Sequence, residues 1–341
     1  MMTRQILNTL FVQTQGAYLR LEHDTLRVEI DGEKRLHVPL HHLGGLVLFG
    51  NVLISPYLLH RCAQDGRDVV WFSRSGRFQG RLAGPVSGNV LLRRAQHKAL
   101  DDPQRTLHLA SRFIHGKVRN TQHVLQRAMR DDRATVETLQ PAIDTMKWAR
   151  KALQAPADLD VARGIEGQAA AVYFQAFPTL LRAKDFTFNG RNKRPPRDPV
   201  NALLSFVYTL VRGDCEAALE GVGLDPQVGY LHTLRPGRPA LALDLMEEFR
   251  AWWADRLVLS LINRRQVRLD HFEPRPGGAV YLNETGRREV LTAYQKRKQE
   301  TVKHRLFKES MPIGLLPYIQ ARVLARYLRQ DLDAYYPFQA R

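Results

Sequence analysis

The sequence predicts an α+β protein, with a mainly β N-terminal domain followed by an all-α helical C-terminal domain, on three observations. Apolar and polar residues alternate over 17–30 and again through Leu36, Val38 and Leu40, which is the period of half-buried strands. A run of small residues and breakers follows, Ala83-Gly84-Pro85-Val86-Ser87-Gly88-Asn89. Beyond it the apolar period lengthens from two to about three and a half, as in amphipathic helices. The domains are accordingly set at 1–88 and 89–341, with the hinge over 83–89. A chain of 341 residues with 44% hydrophobic content buries a sizeable core, and its length suits two domains better than one.

Residues 17–30 alternate through Leu19, Leu21, Leu26, Val28 and Ile30, and Leu36, Val38 and Leu40 repeat the pattern beyond Asp31-Gly32-Glu33. The two runs are expected to form a hairpin whose turn glycine supplies a positive φ. Further strands are expected at Leu46–Phe49, Val69–Phe72 and Arg77–Leu82. Between them, Ser55-Pro56 offers an N-cap and a first-turn proline for a short helix through Cys62. Downstream, Leu107, Phe113 and Ile114, then Val118, Val124, Leu125 and Met129, fit amphipathic helices. So do residues 160–177, 200–221, 239–263 and 314–330. The stretch from Asn189 to Pro199 is too basic and proline-rich for a helix and reads as an ordered or phosphate-contacting loop.

Cys62 and Cys215 are too few and too far apart for a disulfide framework or a thiolate zinc site, so two buried, reduced thiols are expected. No run approaches the about 18 to 20 apolar residues that span a bilayer. Met1-Met2-Thr3-Arg4-Gln5 begins no cleavable signal, so a cytoplasmic protein is expected, not a membrane one. A formal charge of +17 and a pI ≈ 10.2 exceed what solubility needs and favour phosphates, making DNA or RNA the natural acidic partner.

Three segments carry candidate chemistry. Glu166 stands in an expected helix within Gly164-Ile165-Glu166-Gly167. Each glycine there costs about 1 kcal/mol relative to alanine, which suggests close approach of another backbone or a sugar-phosphate; a tight helix crossing with a solvated glutamate is the plain alternative. His232 follows Gly229-Tyr230-Leu231 and is either a ligand or a hydrogen-bonded core residue. The turn Arg235-Pro236-Gly237-Arg238-Pro239 then reverses the chain into a helix bearing Asp244, Glu247 and Glu248. On that helix Leu241, Leu245, Phe249, Trp252 and Leu259 form a core stripe, while Asp244 neighbours Glu247 at i,i+3 and Glu248 at i,i+4. Like charges so close raise each other's pKa unless a cation intervenes. Carboxylates with one imidazole suit Mg²⁺ or Mn²⁺. The alternative is an exposed acidic face paired with Arg250 and Arg256, and periodicity does not choose between Glu247 and Glu248. Candidate phosphate contacts are Arg163, Lys193 and Arg194 of the basic loop, Arg238, and Lys296 and Arg297. Backbone and shape readout, not a base code, is expected of them.

These motifs resemble those of the CRISPR-associated integrase family, the first-numbered Cas proteins, which insert new spacers into a repeat array. The likeness covers nearly the whole chain. It rests on Gly164-Ile165-Glu166-Gly167 with Ala170 and Tyr173-Phe174, on Arg194-Pro195-Pro196 with residues 198–206, on Gly223-Leu224-Asp225-Pro226 leading to His232, and on residues 244–250. It implies a sandwich-like N-terminal domain, a hinge and a helical metal-holding domain. It implies Glu166, His232 and Glu247 as metal ligands, with Asp244 catalytic beside them as support or an occasional ligand. It further implies a homodimer, two such dimers clamping a dimer of the small second-numbered Cas protein, with spacer-precursor and repeat DNA as substrates and an end-trimming nuclease as a further partner. Ala334-Tyr335-Tyr336-Pro337-Phe338 is similar to tails of subtype I-C, although a tyrosine stands where a further proline is expected. The expected activity is a divalent-metal-dependent DNA strand transferase and endonuclease in which a 3′ hydroxyl attacks a repeat phosphodiester. A stand-alone nuclease for branched or repair DNA, and a non-catalytic basic DNA-binding scaffold, are the alternatives.

Overall fold

A computed structural model describes residues 8–74, 78–82, 90–132 and 135–340. The expected hinge over 83–89 and Arg77 lie outside the described residues. The chain divides into two compact units, residues 1–87 with 282–291, and residues 88–281 with 292–341.

The first unit contains β1 (Asn8–Val12), β2 (Tyr18–Glu22), β3 (Thr25–Ile30), β4 (Glu33–Pro39), β5 (Leu43–Phe49), β6 (Leu53–Ile54), α1 (Pro56–Gln64), β7 (Asp68–Phe72) and β8 (Phe78–Arg81). They form two four-stranded sheets, ordered β4-β3-β2-β6 and β1-β5-β7-β8. Leu19, Leu26 and Val28 of one sheet share a core with Leu46, Leu48 and Val69 of the other and with Leu58 and Cys62 of α1, a sandwich-like arrangement. Residues 17–30 are two strands, not one. Leu21 and Leu26 are an odd number of positions apart, so the alternation changes phase between them, and His23 adopts φ 55 at a turn with no glycine to announce it. The next turn is the expected one, with Asp31 at φ 52 and Gly32 at φ 79, the signs that a two-residue hairpin turn requires. Ser55 Oγ accepts the Leu58 N–H at 3.3 Å and caps α1.

The second unit is helical, with α2 (Val90–Asp101), α3 (Pro103–Asp131), α4 (Val136–Ala152), α5 (Leu159–Ala176), α6 (Pro199–Val222), α7 (Ala240–Met246) and α8 (Arg256–Asn263). Two short strand pairs absent from the expectation, β9 (Phe272–Arg275) with β10 (Ala279–Leu282) and β11 (Thr301–Lys303) with β12 (Ser310–Pro312), flank α9 (Glu284–Gln299), whose residues up to Leu291 count with the first unit, and α10 (Leu316–Leu328) follows. Aspartate starts three of the helices: Asp102, Asp158 and Asp198 each accept a first-turn N–H of α3, α5 and α6. The expected continuous helix over 239–263 is interrupted. After α7 the chain makes a turn over residues 247–249 and a π-helical stretch over Arg250–Asp255, where the Ala254 N–H reaches the Phe249 carbonyl at 3.2 Å. Residues 251–255 are all buried, so no polar face remains there for an amphipathic helix to continue. The basic loop before α6 is ordered by the buried Asn201, whose Oδ1 accepts the Asn192 N–H at 3.0 Å while its amide donates to the Gly190 carbonyl at 2.9 Å. Cys62 and Cys215 are buried free thiols.

Candidate active site

The site is assembled by four segments of the helical unit. Lys117 of α3 extends its ammonium between Glu166 of α5 and Glu247, just past the end of α7. Lys117 Nζ donates to Glu166 Oε1 and lies 2.7 Å from Glu247 Oε2. Arg250 Nη1 donates to Glu247 Oε1 at 2.7 Å, and His232 Nε2 lies 3.9 Å from the same oxygen. Glu247 is only 2% exposed, against 26% for the Glu166 side chain. Burial alone would raise the Glu247 pKa, but Arg250, Lys117 and His232 outweigh it and hold the carboxyl well below the usual range.

Asp244 fixes the imidazole. Its Oδ2 accepts the N–H groups of Tyr230 and Leu231 at 2.6 and 3.0 Å, and its Oδ1 accepts the His232 N–H at 3.0 Å and faces His232 Nδ1 at 2.7 Å. An ionised carboxylate only accepts, so Nδ1 carries a proton, which leaves Nε2, on the Glu247 side of the ring, as the nitrogen that could ligate a metal. With its oxygens so engaged, Asp244 orients the histidine. Gly229 makes this possible: a Cβ there would stand 2.6 Å from the Ala240 carbonyl carbon and 2.7 Å from the Leu241 nitrogen, so any other residue would force the 229–232 segment off the start of α7. At Gly164 and Gly167, by contrast, a Cβ would meet nothing within 4 Å. No tight helix crossing explains them, and the face around Glu166 is open.

Among the described residues, no three His, Cys, Asp or Glu side chains are gathered closely enough to enclose a metal ion. The ammonium of Lys117 separates the two carboxylates instead. The donor set nevertheless fits a hard divalent ion. Two carboxylates share one cation, the imidazole Nε2 lies 3.9 Å from the other oxygen of Glu247, and buried Glu247 Oε2 has no donor besides the Lys117 ammonium 2.7 Å away. An ion that displaced the ammonium would find this oxygen with no other donor to compete for it.

Beneath Arg250 lies a layer that supports it. The guanidinium stacks 4.5 Å above the Tyr208 ring, and Arg191 stacks 5.4 Å from the same ring. The Tyr208 and Tyr173 hydroxyls donate to the two oxygens of buried Asp255 at 2.5 and 2.9 Å. Lys193 loses basicity through partial burial and through Arg250, Arg194, Arg191 and Arg238, which places a wall of cations beside the acidic cluster. Arg163 acts differently: its Nε and Nη2 donate to the Leu231 carbonyl at 3.0 and 2.7 Å and brace the segment leading into His232. Arg297 belongs elsewhere. It stacks over Trp252 at 5.2 Å, pairs with Glu300, and adds to the partial burial that lowers Arg256 to about 10, while Lys296 is exposed on α9.

Sequence reasoning missed Lys117 and the role of Arg250. Lys117 sits on a helix rich in arginine and histidine, with no spacing to single it out. The exposed acidic face paired with Arg250 and Arg256 is not what forms: both Glu247 and Glu248 are buried, because α7 ends before them and they point to opposite sides of a turn.

Known proteins share this architecture. The family profile of CRISPR associated protein Cas1 matches residues 10–296. CRISPR-associated endonuclease Cas1 1 of Moorella thermoacetica is 50% identical over 340 residues, covering 98% of this chain and 99% of that protein. A CRISPR-associated exonuclease Cas4/endonuclease Cas1 fusion of Geobacter sulfurreducens is 39% identical over 97% of this chain and 60% of the fusion. Among solved structures, a casposase bound to integration product superposes with a TM-score of 0.84 at 20% identity, covering 97% of this chain and 93% of that one. A chain of a Cas6-RT-Cas1–Cas2 complex gives 0.82 at 23% identity, over 99% of this chain and 36% of that one. The two structural likenesses speak for the fold alone. The chain belongs to the Cas1 family, whose curated relatives are named CRISPR-associated endonucleases. No described helix is long and apolar enough to cross a membrane.

Proposed function

We propose that this protein is a metal-dependent DNA integrase and endonuclease that inserts spacer DNA into a CRISPR array. The supporting observation is the pairing of Glu166 and Glu247 across the Lys117 ammonium, with His232 Nε2 3.9 Å from Glu247, beside a wall of Arg191, Lys193, Arg194 and Arg238. Glu166, His232 and Glu247 are the residues that would hold Mg²⁺ or Mn²⁺, and such an ion supplies Lewis-acid activation of a phosphodiester and stabilises its leaving oxygen. The chain's own residues prepare that chemistry. Asp244 keeps His232 in the tautomer with a free Nε2, and Arg250 keeps Glu247 ionised. The cationic wall neutralises the approaching DNA backbone and orients it over the carboxylates. The 3′ hydroxyl of incoming DNA attacks the repeat phosphorus as the bond to the leaving oxygen breaks, so one phosphodiester replaces another; a water in place of the hydroxyl gives simple cleavage.

The partners follow the same reading: a homodimer acting with a small Cas2 dimer, in line with the Cas1–Cas2 assembly among its structural relatives, and an end-trimming Cas4-type exonuclease, in line with the fused relative. The likeness of the tail to subtype I-C supports that placement. Strand joining on a repeat-containing plasmid with Mn²⁺, with and without the small partner, tests the function. Joined product is expected, and Glu166→Ala, His232→Ala or Glu247→Ala should each reduce it at least about 10³-fold while DNA affinity stays within a few-fold. Cleavage without joining points to a stand-alone nuclease, and binding with no Mn²⁺-dependent product to a scaffold.

A further inference from the structure

Glu248 and the segment Tyr335–Ala340 take no part in the site described above, yet they are tied to it closely. The Glu248 side chain is fully buried and faces away from the Lys117 pocket. Its Oε1 accepts the Tyr335 hydroxyl, and its Oε2 accepts the Phe338 N–H at 2.6 Å and the Gln320 amide at 2.9 Å. Asn120, one turn beyond Lys117 on α3, completes the arrangement. Its amide donates to the Glu248 carbonyl at 2.7 Å and to the Phe338 carbonyl at 2.9 Å, while its Oδ1 accepts the Ala340 N–H at 2.9 Å. The Phe338 ring packs 5.1 Å from Trp252 and 5.7 Å from Phe249. Gly116 leaves the space: a Cβ there would stand 2.8 Å from Pro337 Cβ and 3.2 Å from Glu248 Cγ.

Between the end of α7 at Met246 and the π-helical stretch from Arg250, the backbone at Glu247 is held by i→i−3 bonds in place of a regular helix, the longest being 3.2 and 3.3 Å at Glu247 and Glu248. Lys117 and Arg250 hold the Glu247 carboxyl itself, and what holds its neighbour helps set the backbone from which that side chain departs. A buried carboxyl group whose oxygens accept several donors is directionally rigid, because any rotation strands N–H and O–H groups away from water. We propose that Tyr335, Phe338 and Asn120 clasp Glu248 as positioning residues that aim Glu247 into the metal-binding site. This rests on the function proposed above. The clasp also joins α3, which carries Lys117, to the turn that carries Glu247, so both sides of the Lys117–Glu247 contact share one anchor.

The test is titration of Mn²⁺ alone into the full-length, DNA-free protein by calorimetry, alongside thermal unfolding. Tyr335→Phe keeps the ring against Phe113 and removes one donor to Glu248; Asn120→Ala removes the link to α3. Ile143→Val, buried in α4, controls for general loss of stability. Both clasp variants are expected to weaken Mn²⁺ binding by about 10-fold or more, the usual scale for groups that orient a metal ligand, with the control unchanged at a comparable melting temperature. If Asn120→Ala does not fold, Tyr335→Phe alone decides. Clasp variants that bind Mn²⁺ as the unmodified protein does overturn the proposal and leave the proposed function standing. An unmodified protein that binds no Mn²⁺ overturns the metal-dependent function, and the clasp with it.

Discussion

Glu247 and Glu248 are adjacent in sequence and almost equally buried, yet their surroundings treat them in opposite ways. Glu247 meets ammonium, guanidinium and imidazole, and its acidity is increased. Glu248 meets a phenol, a side-chain amide and a backbone N–H; burial outweighs these hydrogen bonds and pushes its pKa up to about 8. Neutral donors satisfy a carboxylate geometrically without compensating the cost of removing its charge from water, whereas full counter-charges do compensate it. The first arrangement suits a group that must exchange one cation for another. The second suits an anchor.

The sharpest way to break this contrast is to remove the shared cation. Lys117→Met leaves Glu166 and buried Glu247 facing each other, with Arg250 and His232 still beside Glu247. Stability in urea with EDTA is expected to fall by about 3 kcal/mol, the low end for orphaning a buried charge because Glu166 remains partly exposed. Mn²⁺ should restore much of it by binding the folded state. Unchanged stability would mean that the ammonium does not hold the carboxylates together. A smaller effect is expected from Asp244→Asn, whose amide presents a donor where the wild-type residue offers only acceptors to His232 and three backbone N–H groups. Mn²⁺ affinity in calorimetry should drop about 10- to 100-fold with the fold intact.

The smallest effect concerns imidazoles among like charges, the inverse of Glu247. Burial, reinforced by Arg150, Arg112 and Arg119, lowers His115 to about 4; burial with Arg256, Arg119, Arg130 and Arg127 lowers His123 to about 4. Between pH 6.5 and about 4 the unfolded chain binds more protons at these residues than the folded one, so stability falls as pH is lowered through that window and this contribution levels off below it. His115→Gln with His123→Gln should flatten that slope in urea unfolding followed from pH 7 to 4. A slope identical to the parent's would assign the acid sensitivity to other groups.

Much of the fold was legible because local chemistry and burial agree in those segments. Ser55-Pro56 marks the start of α1 through a hydrogen bond made within a few residues. The apolar alternation of Leu19, Leu26 and Val28 matches a sheet with one covered face. The turn at His23 was not legible, since a left-handed histidine carries no signature in a single sequence. The break after Met246 was hidden too, because Leu241, Leu245, Phe249 and Trp252 keep helical spacing across it. Of the site, Glu166, His232, Asp244 and Glu247 were identifiable from motif and resemblance, and the choice between Glu247 and Glu248 came from the resemblance alone. Lys117 lies 49 residues before Glu166, and Tyr335 lies 87 residues beyond Glu248. Contacts so remote leave no period to read, and only the tertiary packing of α3 against the 247–249 turn reveals them.

The most direct measurement is an anomalous diffraction map from crystals of the full-length protein grown with Mn²⁺. A single strong peak is expected among Glu166, His232 Nε2 and Glu247, with the Lys117 ammonium displaced from between the carboxylates. A peak elsewhere, with Lys117 still bridging Glu166 and Glu247 and His232 making no metal contact, would contradict the assignment of these three residues as the metal-binding set.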